Sequence, residues 1–274
     1  MDRQAVVDTV MFGQSVVLHT YLPPQHPLFN ADVTQYAFDV EAGSALLEEA
    51  GWVLEEGATV RVASGIEGID DGTPLSINYW TTNATQRQQA TQVLGETMAE
   101  CGIEVNLEYW VASEYFADGP DGPVFGRRFD IGQFAWLTGV EPPCDLFYTE
   151  ALPGDGELTV GDVPWLAAAQ PDMSPDAAAF TYGWGGWNDP GFSNAEFDAA
   201  CKAALSSLPG EASYAENHLL AQQIFSDELP VVPLYLRLKL AATRPDMCGF
   251  IMDPTANSEM WNIEEFGYGV YCEG

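Results

Sequence analysis

The chain has 274 residues, 47% hydrophobic and 12% aromatic, enough apolar material to bury a core as one large domain or two small ones. Nine basic residues against 41 acidic ones give a formal charge of −32, which repels phosphate backbones and anionic lipid and excludes nucleic acid as a partner. No run approaches the roughly 18 to 20 apolar residues of a membrane-spanning helix.

The opening Met1-Asp2-Arg3-Gln4 lacks the charged and apolar regions of a signal peptide. It enters directly into an amphipathic stretch predicted as a helix over 2–12, so the chain is expected to begin inside a longer protein with any export signal upstream. Prolines at 23, 24 and 27 forbid regular structure to about Phe38. Tyr21, Leu28, Phe29 and Tyr36 mark that stretch as a packed loop. Asp39 is placed to cap a helix through Leu46 and Leu47, stopped by a left-handed Gly51.

Residues 59–63 and 75–81 read as strands joined across Asp70-Asp71-Gly72-Thr73, which predicts a hairpin. Asn83 with Gln86 three residues on approximates a capping box, and Ala90, Val93, Leu94, Met98 and Cys101 form the apolar face of the helix that follows. Strict alternation over 103–110 predicts a half-buried strand, and 129–136 reads as another, stopped by Glu141-Pro142-Pro143. Residues 151–191, rich in Gly, Pro and Asp with aromatics between them, predict surface excursions packed by their own side chains. Ser193-Asn194-Ala195-Glu196 reads as a capping box for a helix, a second helix is predicted over 211–228, and 231–236 reads as a late strand. The order predicts an α/β fold with a mixed sheet and flanking helices.

Five cysteines leave at least one unpaired. Cys101, on the apolar helix face, is expected free; the other four can pair as Cys144 with Cys201 and Cys248 with Cys272, which suits an oxidising compartment. Catalysis is not expected. The carboxylate pairs Glu48-Glu49, Asp70-Asp71 and Glu264-Glu265 point apart on regular elements, His19, His26 and His218 are scattered, and no phosphate-loop, dinucleotide or nucleophile-elbow motif occurs. No cofactor is implied. The acidic turns near Asp70 and Asp118 lack the full ligand pattern of a calcium loop.

Several segments resemble the family 5 extracellular solute-binding proteins, the oligopeptide, dipeptide and nickel receptors of ABC importers. They are Met1 to Gln4, Leu22-Pro23-Pro24, Ala42 to Trp52, Cys101 to Val105, Arg128 to Ile131 leading to Trp136, Asn188 to Asp198, and Asp227 to Tyr235. The resemblance implies the second lobe of a type II periplasmic-binding-protein-like fold over residues 1–230, with 231–274 as the strand and tail that return to a first lobe not contained in this chain. It implies capture of a peptide or small polar solute between two lobes for delivery to ABC permease subunits. The setting is extracellular or periplasmic, with a lipoprotein tether upstream as one mode of retention, and the receptor is expected to be a monomer.

The implied site follows the 129–136 strand: Gln133, Phe134, Trp136, Thr138, Gly139 and Glu141. Trp136 matches a family tryptophan beside the ligand. Gln133 and Gly139 stand where some peptide receptors carry an arginine and an amine-pairing aspartate, which puts a free peptide amino group in question unless Glu141 substitutes. The loop residues Tyr21, Trp184, Trp187 and Asn188 are further candidates. A stand-alone interaction or adhesion module, binding a protein through exposed aromatics, is the alternative of another class.

Overall fold

A computed structural model describes residues 1–272 except 138, 239, 254, 255 and 257. In chain order the elements are α1 (Arg3–Thr9), α2 (Val40–Glu49), β1 (Trp52–Val53), β2 (Val62–Ala63), β3 (Ser76–Thr82), α3 (Thr85–Ala99), β4 (Glu104–Trp110), α4 (Ala112–Tyr115), β5 (Ile131–Gln133), α5 (Pro164–Ala169), α6 (Ala195–Leu205), α7 (Ala212–Glu228), β6 (Met247–Cys248) and β7 (Gly267–Tyr268).

The sheet that matters for function has the order β4-β3-β5 and is parallel throughout, with Tyr79 opposite both Leu107 and Ile131. Alternation in β4 turns Val105 and Leu107 toward α3 and leaves Glu104, Asn106 and Glu108 exposed. One core forms where α1 and α3 cover the sheet, around Val6, Tyr79, Ala90 and Leu94. A second lies between α6 and α7, around Phe147, Phe197 and Phe225, and holds the Cys144–Cys201 disulfide. The 151–191 excursion has its own core of Leu152, Val160, Val163, Leu166 and Phe180. A disulfide joins Cys248 in β6 to Cys272 in the turn after β7, and Cys101 is free and buried.

Local chemistry explains the helix ends. Asp39 accepts from the Ala42 amide at 2.9 Å to start α2, and Gly51 at φ +91° ends it, where a β-carbon would come within 2.7 Å of Ile66. Arg61 is 2% exposed and serves two helix ends: Nε donates to the Cys101 carbonyl after α3, Nη1 to the Trp52 carbonyl after α2.

Several expectations are corrected. The predicted 59–81 hairpin forms only a short ladder, a bridge of Val62 to Pro74 flanked by the Leu75 amide on the Arg61 carbonyl and the Ala63 amide on the Thr73 carbonyl; β2 also pairs with β1, and β3 lies in the parallel sheet between two partners. The Asn83 capping box does not form, because α3 begins one turn position later with Ala84 as an uncapped N-cap. For α6 the cap is Asn194, whose Oδ1 accepts from both Glu196 and Phe197 amides, while the Ser193 hydroxyl turns to Thr149 and Gln170. Only 131–133 of the 129–136 stretch is strand. The late 231–236 strand is reduced to a bridge of Tyr235 to Val17, with the Leu236 amide on the Val16 carbonyl. Two extended stretches thus run antiparallel, 15–18 and 233–236. Arg3 ties them together with the proline-rich loop by donating to the carbonyls of Leu18, Pro233 and Tyr36.

Candidate functional site

In a parallel α/β sheet, the crevice outside the carboxyl ends of the strands is the usual place for a ligand, because helix starts and variable loops converge there. Here those ends are Thr82, Trp110 and Gln133. The loop after β5 carries most of the residues singled out in the sequence.

Gln133 is 7% exposed and anchors the strand end. Its Oε1 accepts from the Tyr79 hydroxyl at 2.9 Å, and its carbonyl accepts from Thr81 Oγ1 at 2.8 Å and Arg87 Nη1 at 3.2 Å. Tyr115 closes the gap between β3 and β5 by donating to the Trp80 carbonyl at 3.1 Å. Burial raises the Tyr79 and Tyr115 hydroxyls well above the ordinary phenol range, so both act as neutral donors.

Beyond this anchor the aromatics form an edge-to-face ladder. Phe116 meets Phe134 at 5.7 Å and 86°, and Phe134 meets Trp136 at 5.8 Å and 76°. The ladder ends in solvent: Trp136 is 46% exposed, followed by exposed Leu137 and Val140. Gly139 faces open space. Thr138 lies outside the described residues.

The far side of this loop is pinned by two histidines. Glu141 accepts from the Tyr214 hydroxyl at 3.1 Å and lies 3.1 Å from His218 Nε2, both on α7. His26 Nδ1 accepts from the Leu28 amide, which leaves Nε2 as the donor to the Val140 carbonyl at 3.0 Å. His218 is fully buried; burial pulls its pKa down and Glu141 pushes it back. Both Glu141 oxygens are therefore engaged in holding the loop to α7.

The remaining candidates separate. Tyr21 packs on Phe147 and Phe225 in the α6/α7 core, at 5.6 and 5.1 Å, away from the ladder. Asn188 is buried and clamps its own loop, donating to the Tyr148 and Phe192 carbonyls at 2.7 and 2.8 Å. Trp187 donates to the Asp145 carbonyl at 3.0 Å and packs on the exposed Tyr182. Trp184 lies flat against Gly119, where any side chain would collide with its ring.

Three features escaped the sequence reading. The Glu141, Tyr214 and His218 contact joins residues more than 70 positions apart. Arg87, which the sequence did not single out, meets the end of β5. Asp189 is 2% exposed, and its carboxylate makes no hydrogen bond to another residue. Burial pushes it up to about 7, with Arg127 opposing. Among the described residues, no group of three His, Cys, Asp or Glu side chains is disposed to hold a metal ion.

The parallel sheet with its flanking helices is a mixed α/β fold of the type II periplasmic-binding-protein class. The family model described as bacterial extracellular solute-binding proteins, family 5, middle region, matches residues 1–156, and the chain belongs to this family. The peptide transport periplasmic protein SapA of Salmonella typhimurium is 42% identical over 241 residues, covering 83% of this chain and 37% of SapA. The nickel-binding periplasmic protein of Escherichia coli is 25% identical over 132 residues, 47% of this chain and 24% of that protein. Among solved structures, the oligopeptide-binding protein of Thermus thermophilus with a pentapeptide superposes with a TM-score of 0.72 at 23% identity, over 97% of this chain and 41% of that one. NikZ of Campylobacter jejuni with Ni(L-His) gives 0.65 at 14% identity, over 97% and 46%. The chain thus spans less than half the length of each of these proteins.

Proposed function

We propose that this chain is the second ligand-binding lobe of the substrate-binding component of an ABC importer, and that it captures a peptide or similar polar solute rather than catalysing a reaction. The observation that carries this reading is the Phe116, Phe134 and Trp136 ladder, which starts at the carboxyl end of the central sheet and ends half-exposed at Trp136. A flat apolar wall on a pinned loop contacts many side chains without selecting one, and backbone-like polar groups of the solute complete the recognition.

Residues 1–230 form the lobe, and 231–274 lead back toward a first lobe. The antiparallel 15–18 and 233–236 stretches, tied by Arg3, are where the chain crosses between the two. Ligand contacts present only in the closed arrangement shift the two lobes toward closure, and the closed form docks on the permease. Two disulfides suit an extracellular or periplasmic setting.

The test is a thermal-shift screen of the full natural gene product against mixed peptides, nickel chelates and oligosaccharides. A rise in melting temperature with peptides, lost in Trp136→Ala, supports the reading; stabilisation by peptides that is indifferent to Trp136→Ala removes the ladder from the site.

A further inference from the structure

Two of the three histidines in the chain meet at one loop. The segment from Phe134 to Glu141, which carries Trp136, is fixed at its start by the bonds of the Gln133 carbonyl to Thr81 and Arg87. At its far end His26 Nε2 donates to the Val140 carbonyl at 3.0 Å and His218 Nε2 to Glu141 Oε1 at 3.1 Å, while the Tyr214 hydroxyl holds Glu141 Oε2. The next covalent anchor is Cys144, bonded to Cys201. Both histidines sit on one frame, because the proline-rich loop is docked on α7. There the fully buried Gln222 donates to the Leu28 carbonyl at 2.8 Å and accepts from the Asn30 amide at 3.0 Å.

Both contacts require the same neutral tautomer. His26 Nδ1 accepts from the Leu28 amide at 3.1 Å, so this ring keeps both of its bonds only while Nδ1 carries no proton. His218 presents Nε2 to a carboxylate and carries its proton there, and its Nδ1 is buried with no hydrogen-bond partner among the described residues. A second proton would therefore face the Leu28 N–H at His26, and at His218 it would be a buried donor without an acceptor. The groups that face His218 are Glu141 from the loop, His26 from the proline-rich loop and the Tyr214 ring from its own helix, 4.7 Å away. Burial lowers the His218 pKa, Glu141 opposes this, and charge on His26 acts with burial. The latched imidazole thus binds its second proton less tightly than a freed one. The contact is fully present above the ordinary histidine value of about 6.5, and it is lost as pH falls through the lower native value.

We propose that Tyr214, His218 and His26 are positioning residues of the solute site, a latch that holds the Trp136 loop at the crevice and opens on acidification. The inference rests on the solute-receptor reading and adds a control to its site. In neutral solution the loop is fastened to α7 and to the proline-rich loop, and Trp136 stands ready for the solute. Acid charges the imidazoles, favours the unfastened loop and weakens capture.

The test uses the full natural gene product and NMR. The Trp136 indole N–H, assigned with Trp136→Phe, reports the loop with no solute present, and titration with trialanine reads capture. From about pH 8 to about pH 5, the range in which histidine charges, the wild-type indole signal should shift. Affinity for trialanine should fall about tenfold or more, the scale of one hydrogen bond to a charged group. In the double variant His26→Gln with His218→Gln, whose amides can donate where Nε2 did but do not titrate, the signal should stay in place and affinity should change about twofold or less. Tyr214→Phe, which deletes one donor and keeps the ring, should move the signal toward its acid position at neutral pH with an unchanged melting temperature. A signal indifferent to pH and to Tyr214→Phe overturns the latch, whether or not trialanine binds. A signal that moves while trialanine affinity holds constant makes these contacts structural only and overturns the positioning role. A signal that moves as described with no trialanine binding at any pH supports the latch and counts against a peptide as the solute.

Discussion

Replacing Arg3 with methionine keeps the aliphatic stem and deletes a guanidinium that serves three distant carbonyls. Arg3 is 7% exposed and donates to Leu18 at 2.8 Å, to Pro233 at 2.7 Å and to Tyr36, with no carboxylate among these partners. The Pro233 bond is fully buried and the other two are partly reached by solvent. An orphaned buried acceptor costs about 1–3 kcal/mol, while an acceptor that water can reach costs roughly 0.5–1 kcal/mol. Burial of the guanidinium itself, which lowers its pKa, is relieved in the variant and offsets part of the loss. The expected net destabilisation is about 3 kcal/mol. Urea unfolding followed by circular dichroism should show a lower midpoint with an unchanged slope. Arg3→Lys, whose point charge lacks the fork needed for all three acceptors, should lose about half as much. A loss below about 0.5 kcal/mol for Arg3→Met would refute the idea that this one side chain holds the 15–18 and 233–236 stretches to the proline-rich loop.

Two further outcomes are expected. The Cys144–Cys201 disulfide is fully buried and closes a separation of 57 residues, whereas Cys248 and Cys272 are only partly buried, 24 apart. Loop-closure entropy assigns them about 4 and 3.5 kcal/mol. Mild dithiothreitol followed by alkylation and mass spectrometry should label Cys248 and Cys272 first; simultaneous labelling of Cys144 would contradict the burial of that bridge. At Asp189, a carboxyl at about 7 in the native state and near 4 when unfolded makes the native state bind its proton more tightly. Its contribution to stability is therefore fully present below pH 4 and is lost as pH rises toward 7 and beyond, by up to roughly 4 kcal/mol at pH 8. The stability difference between Asp189→Asn and the wild type should grow in favour of the variant across that window, and a pH-independent difference would show that Arg127 neutralises the charge.

Local rules made much of the fold legible. The Asp39 cap, the Gly51 stop and the alternation of β4 each depend on residues adjacent in sequence, and each formed where the spacing placed it. Pairing was less legible. Residues 59–81 carry a turn signal between two apolar runs, yet β3 gains more hydrogen bonds as the centre of a parallel sheet than as one arm of a hairpin. The 231–236 run has strand composition, but its partner is the irregular 15–18 stretch, which supports one bridge. At the candidate site, the Phe134 and Trp136 run could be picked out because it follows a strand, whereas the inward packing of Tyr21 and Asn188 could not, because a loop aromatic or amide packed inward has the same sequence signature as one facing solvent. The His218–Glu141 and Arg87–Gln133 contacts depend on chain folding over long separations and left no local mark.

The most direct measurement is isothermal titration of the best-stabilising solute into the full natural gene product and into Trp136→Ala and Trp136→Phe. Trp136 is 46% exposed at the ladder's end, so its removal should leave the fold within about 1 kcal/mol of the wild type. The receptor reading predicts affinity reduced more than tenfold by Ala and partly restored by Phe, the scale of burying an aromatic face on binding. Unchanged affinity in Trp136→Ala would contradict a solute site at the carboxyl end of the central sheet.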